Sequence, residues 1–127
     1  MILVTNNEKF IEEKNYLESK KIDFRFVETD YLGVLEHCRD MIHEGYEMLT
    51  HPLYGSVKPN ETIYRSIVLK KNDKLHINSL TLIEEAIETA KKFKKNKQTP
   101  LWIDSVKEDF RVIDHDLMSK TIDRIVF

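Results

Sequence analysis

Short apolar runs alternate along this chain with longer segments whose apolar residues recur every three or four positions. That alternation confines the chain to a layered α/β architecture. Ile2-Leu3-Val4 reads as a buried first strand that stops at the polar Thr5-Asn6-Asn7. Residues 7–20 are charged and helix-favouring, with Phe10, Ile11, Lys14 and Leu17 on one face. Ile22, Phe24 and Phe26 then alternate with Asp23 and Arg25, the period of a second strand.

Glu28-Thr29-Asp30 supplies a helix start, followed by Tyr31, Leu35, Cys38, Met41 and Ile42 at helical spacing and Gly45 as a C-terminal cap. Met48-Leu49-Thr50 predicts a third strand and Thr62–Leu69 a fourth, with a turn at Asn72-Asp73. A long helix capped by Asn78 or Ser79 follows, burying Leu80, Ile83, Ile87, Ala90 and Phe93 and ending in a lysine-rich turn, where the helix dipole favours cations. After Pro100, Leu101-Trp102-Ile103 reads as extended. Phe110, Ile113, Leu117, Ile122 and Ile125 predict a last helix capped by Asp109 or Asp114. The expected fold is therefore a single three-layer α/β domain over residues 1–127. Its sheet should have four to five mostly parallel strands in a Rossmann-like order, with right-handed crossovers and helices on both faces.

Composition narrows the function classes. With 20 Lys+Arg against 22 Asp+Glu, the net charge of −2 lacks the basic surplus of a nucleic-acid binder. No apolar run approaches the roughly 20 residues of a membrane span, and the amino terminus lacks the pattern of a secretory leader, so no membrane partner is expected and the expected compartment is cytoplasmic. Cys38 is the only cysteine, which excludes an internal disulfide, and its place on an apolar helix face suits an inert core thiol.

Ligands in open α/β sheets gather at the carboxyl ends of the strands. Three segments meet that rule: Thr5-Asn6-Asn7, Glu28-Thr29-Asp30, and the long stretch from Thr50 to Thr62. The third is over-long for a connection in a compact domain, a length usual for functional loops. Pro52 and Pro59 stiffen it and Gly55 supplies a turn. The candidate ligand-binding residues are Asn6, Asn7, Thr50, His51, Gly55, Ser56, Lys58, Asn60 and Glu61. His51 is the candidate general base and Lys58 the candidate anion stabiliser, because imidazole titrates near neutrality and an ammonium offsets developing negative charge.

Several chemistries find no support. Gly33, Gly45 and Gly55 cannot form a dinucleotide fingerprint, and no Gly-x-x-x-x-Gly-Lys-Ser/Thr exists. A Ser56–Lys58 dyad lacks any accompanying oxyanion loop. His37 and His43 are six apart, not the four that would align them on one helix face. No metal and no cofactor is expected.

Met-Ile-Leu-Val-Thr-Asn-Asn at the start, Asp-Tyr-Leu-x-Val-Leu at 30–35, and Leu-Thr-His-Pro-Leu-Tyr-Gly-Ser-Val-Lys-Pro-Asn-Glu-Thr at 49–62 resemble the GrdX family, as does Ser-Leu-x-Leu-Ile-Glu-x-Ala-Ile-Glu-Thr at 79–89. The resemblance implies an accessory role beside the glycine, sarcosine and betaine reductase systems of amino-acid-fermenting anaerobes. It carries over no catalytic residue. The leading expectation is an accessory protein that binds a small anionic metabolite, or a reductase-pathway protein, through residues 50–62. Two alternatives stand beside it. One is a small enzyme using His51 and Lys58; the other is a homodimerisation module using the same loop.

Overall fold

The computed structural model describes residues 1–55 and 57–125. Its elements, in chain order, are β1 (Ile2–Thr5), a 3-10 turn (Glu8–Glu13) running into α1 (Lys14–Ser19), β2 (Asp23–Phe26), α2 (Tyr31–His43), β3 (Tyr46–Met48), β4 (Ser66–Lys71), α3 (Ile77–Asn96) and α4 (Asp104–Ile125). The four strands form one sheet in the order β2-β1-β4-β3.

Alternating side chains in the central strands divide the core in two. Ile2 and Val4 of β1, with Ile67 and Leu69 of β4, pack against α2 and α3 through Val34, Leu35, Ile83 and Ile87. Leu3 and Val68 point the other way, onto Phe10, Leu17, Met118 and Ile122. Helices therefore cover both faces, as expected from strands apolar on both sides. Cys38 lies wholly within the first cluster. Burial pushes its thiol pKa well up, against a smaller lowering by the Arg65 charge, so the thiol is held protonated and unreactive.

The strand directions correct the expectation of a mostly parallel, Rossmann-like sheet. Only β1 and β2 pair in parallel; β4 is antiparallel to both β1 and β3. The physical reason lies in the connection from β3 to β4. A parallel crossover is usually a helix laid across the sheet, and the described residues between 49 and 65 form none. The chain instead turns back at the rim and inserts β4 between β1 and β3. Leu101-Trp102-Ile103 adds no fifth strand and remains outside the sheet.

Several boundaries also differ. β3 ends at Met48 and β4 begins at Ser66, so the rim segment is longer than residues 50–62. Thr62–Arg65 is rich in strand formers, but tertiary bonds claim its backbone: Tyr64 N donates to Thr62 Oγ1 (3.0 Å) and Arg65 N to Asn6 Oδ1 (2.9 Å). The cap of α3 is His76, whose Nδ1 accepts from Ser79 N, not Asn78 or Ser79. Helix α4 starts at Asp104, which puts Asp114 in mid-helix and buried instead of at a cap. Asp30 does cap α2, its Oδ1 accepting from Gly33 N at 2.9 Å. Gly45 follows α2 at φ +100°, the left-handed conformation expected of a C-terminal cap.

Because β1, β2 and β3 point the same way, their carboxyl ends share one rim with the entry to β4. Asn6 ties that rim together. Its Nδ2 donates to Thr29 O (2.8 Å) and Ile63 O (2.5 Å), while its Oδ1 accepts from Arg65 N. Replacing Asn6 by Ala removes three hydrogen bonds, one buried and two part-buried, and should lower the unfolding free energy by about 3 kcal/mol, at about 1 kcal/mol each. Asn6→Asp should cost more still, since a carboxylate cannot donate to two carbonyls and faces them as a charge. Urea denaturation of both variants tests this; an aspartate variant as stable as wild type would contradict it.

Candidate functional site

The rim presents two distinct concavities, a small one over buried charged groups and a larger one beside it. The small one is built around Arg65, the residue just before β4. Its Nη1 donates to Tyr54 O (2.7 Å), Tyr31 Oη (3.2 Å) and, at the limit of bonding distance, Pro52 O (3.5 Å). Its guanidinium carbon stands 5.5 Å from the Tyr31 ring centre, a cation–π distance. Arginine thus fastens the long loop from below, through two backbone carbonyls.

Facing it is Asp114, in the middle of α4, with Oδ1 3.7 Å from Arg65 Nη2. Arg65 is 5% exposed and Asp114 6%. Asp114 Oδ2 accepts from Asn7 Nδ2 (3.0 Å) and Ser66 Oγ (2.7 Å). Since the Ser66 proton goes to Asp114, the 2.7 Å contact between Thr5 and Ser66 must run from the Thr5 hydroxyl to Ser66 Oγ. Thr5 Oγ1 in turn accepts from Asn7 N. Every proton in this chain points toward the carboxylate, an arrangement in which successive bonds strengthen one another.

Arg65 and Asp114 line a cavity of about 30 Å³, together with Tyr31, Tyr54, Tyr64 and Leu117 among others. Gly55 also lines it, at φ +125° with Leu117 packed against it. A side chain there would be strained by that backbone angle. Tyr64 Oη accepts from Arg111 Nη1 at 2.6 Å. Desolvation raises the Tyr64 pKa, with Glu8 adding to the rise and Arg111 opposing it.

The larger concavity, about 170 Å³, lies between the loop and the α3–α4 connection and is lined by Lys58, Asn60, Glu61, Lys97, Pro100 and Trp102. Two bonds hold its walls together. Asn60 Nδ2 donates to Lys97 O (3.1 Å), satisfying a carbonyl at the end of α3, and Trp102 Nε1 donates to Glu61 O (2.6 Å). Asn60 Oδ1 is buried with no hydrogen-bond partner among the described residues.

The sequence candidates thus fall into separate groups. Lys58, Asn60 and Glu61 converge on the larger cleft, joined by Lys97 and Trp102. Asn6 and Asn7 are buried, with their amides bonded within the protein: Asn7 Nδ2 donates to Asp114 and to Arg111 O, and its Oδ1 accepts from Lys9 N. Thr50 is buried, and its Oγ1 accepts from Val68 N at 3.2 Å. His51 is exposed, its Nδ1 accepting from Leu53 N at 3.0 Å, which places the ring proton on Nε2. His51 is not among the residues lining the Lys58 cleft. Gly55 belongs to the small cavity, and Ser56 lies outside the described residues. Among the described residues, no group of three or more His, Cys, Asp or Glu could hold a metal ion.

Arg65, Asp114, Tyr31, Tyr64, Lys97 and Trp102 were not singled out as site residues from the sequence. Two of them left a signal. Arg65 is a charge inside a run, Thr62–Leu69, that otherwise reads as strand. Asp114 occupies the same helical stripe as Phe110, Met118 and Ile122, where a lone carboxylate implies a buried partner.

The chain matches the family model described as GrdX-like protein over residues 2–123. It belongs to that family. No curated protein and no solved structure matches it. No helix among the described residues is long and apolar enough to cross a membrane.

At the same rim, Asp30 bonds Lys94 Nζ through Oδ2 at 2.5 Å. Desolvation pushes the Asp30 pKa up, but the Lys94 bond, the Gly33 N–H and the lysine charge outweigh it, and the net shift is downward. A depressed carboxylate pKa stabilises the fold above the unfolded value of about 4 and loses that contribution as pH falls through the folded value. Lys94→Met should therefore raise the Asp30 pKa and lower stability at neutral pH. The gap from wild type should close as pH drops below about 4. NMR titration of the Asp30 carboxyl and urea unfolding at both pH values check this; an unmoved Asp30 titration would refute it.

Proposed function

We propose that this chain is an accessory binding protein of an amino-acid reductase pathway, holding a small anionic metabolite in the cleft between residues 58–61 and 97–102. One observation carries the reading. Lys58 and Lys97, far apart in sequence, line the same cleft with Trp102 and Asn60. Two lysines beside an indole wall suit a small carboxylate or acyl phosphate, which would gain charge pairing from their ammonium groups and an apolar contact at the ring. Glu61 on the same wall opposes large polyanions and suits a ligand that also carries an amino group. The pathway assignment rests on membership of the GrdX-like family.

The enzyme reading draws less from the geometry. A general base must lie within hydrogen-bond reach of the proton it takes, and His51 does not line the cleft that holds Lys58. The dimer reading draws on Tyr54, which is 45% exposed, while Leu53 packs on the core beneath α2 and α3.

Calorimetric titration with glycine, sarcosine, betaine and acetyl phosphate tests the binding reading. At least one should bind, and exposed charge pairs of this kind are worth about 1 kcal/mol or less each. Lys58→Ala and Lys97→Ala should each weaken binding by about fivefold, and the double variant by more. Affinity for all four that is absent, or equal in wild type and double variant, rules out the cleft.

A further inference from the structure

The sheet ends in two edge strands, β2 and β3, and they are finished differently. At β3 the outward N–H of Met48 donates to Ser79 Oγ (3.0 Å), so the start of α3 occupies that edge. At β2, Asp23 N donates to Met1 O (2.8 Å) and Val27 N to Thr5 O (2.9 Å). Residues 23, 25 and 27 thus direct their backbone bonds to β1. By alternation, the N–H and C=O of Phe24 and Phe26 point away from the sheet. All four residues of β2 are exposed or part-exposed, whereas those of β1 are buried. An unpaired edge of this kind is a template for another strand.

The sequence of this edge is complementary to itself. Ile22-Asp23-Phe24-Arg25-Phe26 reads apolar, acid, apolar, base, apolar about Phe24. Asp23 and Arg25 are exposed on the face that carries Ile2 and Val4, their register partners in β1. Neither has an ion-pair partner among the described residues. Phe24 lies on the other face, half-buried against the Leu3 cluster.

We propose that two copies of this chain associate through β2, antiparallel about a two-fold axis at Phe24, and join their sheets into one. The outward N–H and C=O of Phe24 then exchange both bonds with the partner's Phe24, the bonded kind of antiparallel pair. Asp23 lies directly opposite the partner's Arg25, and Arg25 opposite the partner's Asp23, so charges unpaired in one copy are paired in two. Neighbouring registers fail. An axis at Arg25 sets two guanidinium groups against each other, and an axis at Phe26 sets Arg25 against the partner's Val27. Charged residues ordinarily blunt an edge strand against pairing. Here opposite signs two residues apart exclude unrelated strands but match a second copy by symmetry. A four-residue strand covers less than the roughly 800 Å² per side of a standard interface, which makes the association weak and concentration-dependent. The interface uses no residue of the Lys58–Lys97 cleft, so it stands apart from the binding reading.

The test is sedimentation of the full chain over a dilution series, with NMR spectra recorded over the same range. Wild type should pass from monomer to dimer between about 10 µM and about 1 mM. The amides of Phe24 and Phe26 should shift with concentration, and those of Asp23, Arg25 and Val27 much less. Asp23→Arg and Arg25→Asp each set like charges opposite one another and should weaken association at least about tenfold. Mixed in equal amounts, these two variants should associate again, because one then presents two acids and the other two bases. The double swap Asp23→Arg/Arg25→Asp should dimerise as wild type does. If a single variant does not fold, the wild-type series decides. A wild type still monomeric at about 1 mM, single variants that dimerise unimpaired, or a mixture or double swap that stays monomeric would overturn the proposal. So would concentration-dependent shifts centred on Tyr54 instead of β2.

Discussion

A guanidinium buried at the rim sets the terms for everything around it. Removing Arg65 from water carries a desolvation cost of several kcal/mol, offset only if its donors meet acceptors and its charge meets an opposite one. The structure supplies Tyr54 O and Tyr31 Oη for one nitrogen and Asp114 for the charge. Each of these suppliers is then constrained in turn. The loop must pass over Arg65 with its carbonyls facing down, and α4 must lie so that Asp114 reaches across. Ser66, Thr5 and Asn7 must align their protons toward Asp114. The first turn of the loop, at Pro52 and Tyr54, is thus held by a cation beneath it as well as by its proline.

The two concavities follow from this constraint in different ways. The smaller one is the residual space around the ion pair. The larger one forms because the loop, once pinned at Pro52 and Tyr54, continues outward and meets the end of α3. There Asn60 and Trp102 stitch it to the 97–102 connection. Rigid positioning from below and a polar seam at the side give the cleft fixed walls, which lowers the ordering cost of any ligand it takes.

Much of this was readable where the information is local. The periodicity of residues 31–42 fixed α2, and Ile2-Leu3-Val4 marked a strand apolar on both faces. Strand ends alone marked three rim segments; Asn6, in the first, bonds Thr29 in the second and Ile63 and Arg65 just beyond the third. What escaped depends on partners distant in sequence. The direction of β4 is decided by what residues 49–65 do in three dimensions, and no period in Thr62–Leu69 encodes that. Thr62–Arg65 carries strand propensity, but bonds to Asn6 and Thr62 claim its backbone first. Asp114 reads as a helix cap because acidic residues are favoured at a helix start, and the start of α4 lies ten residues earlier. Partners distant in sequence, Arg65 with Asn7 and Ser66, explain the burial of Asp114.

The placement of β4 also governs how this molecule comes apart. The strand sits between β1 and β3, so neither neighbour has a direct partner on that side until β4 is in place. Arg65 immediately precedes it, and the pairing of Ser66 with Thr5 extends the ladder to the ion pair itself. The loop therefore shares its fate with the central strand of the sheet. The carbonyls of Pro52 and Tyr54 stay bonded to Arg65 only while that residue is held at the start of β4, so the loop loosens when β4 parts from β1. Surface loops ordinarily breathe on their own; this one is moored to the last piece of the sheet that can let go.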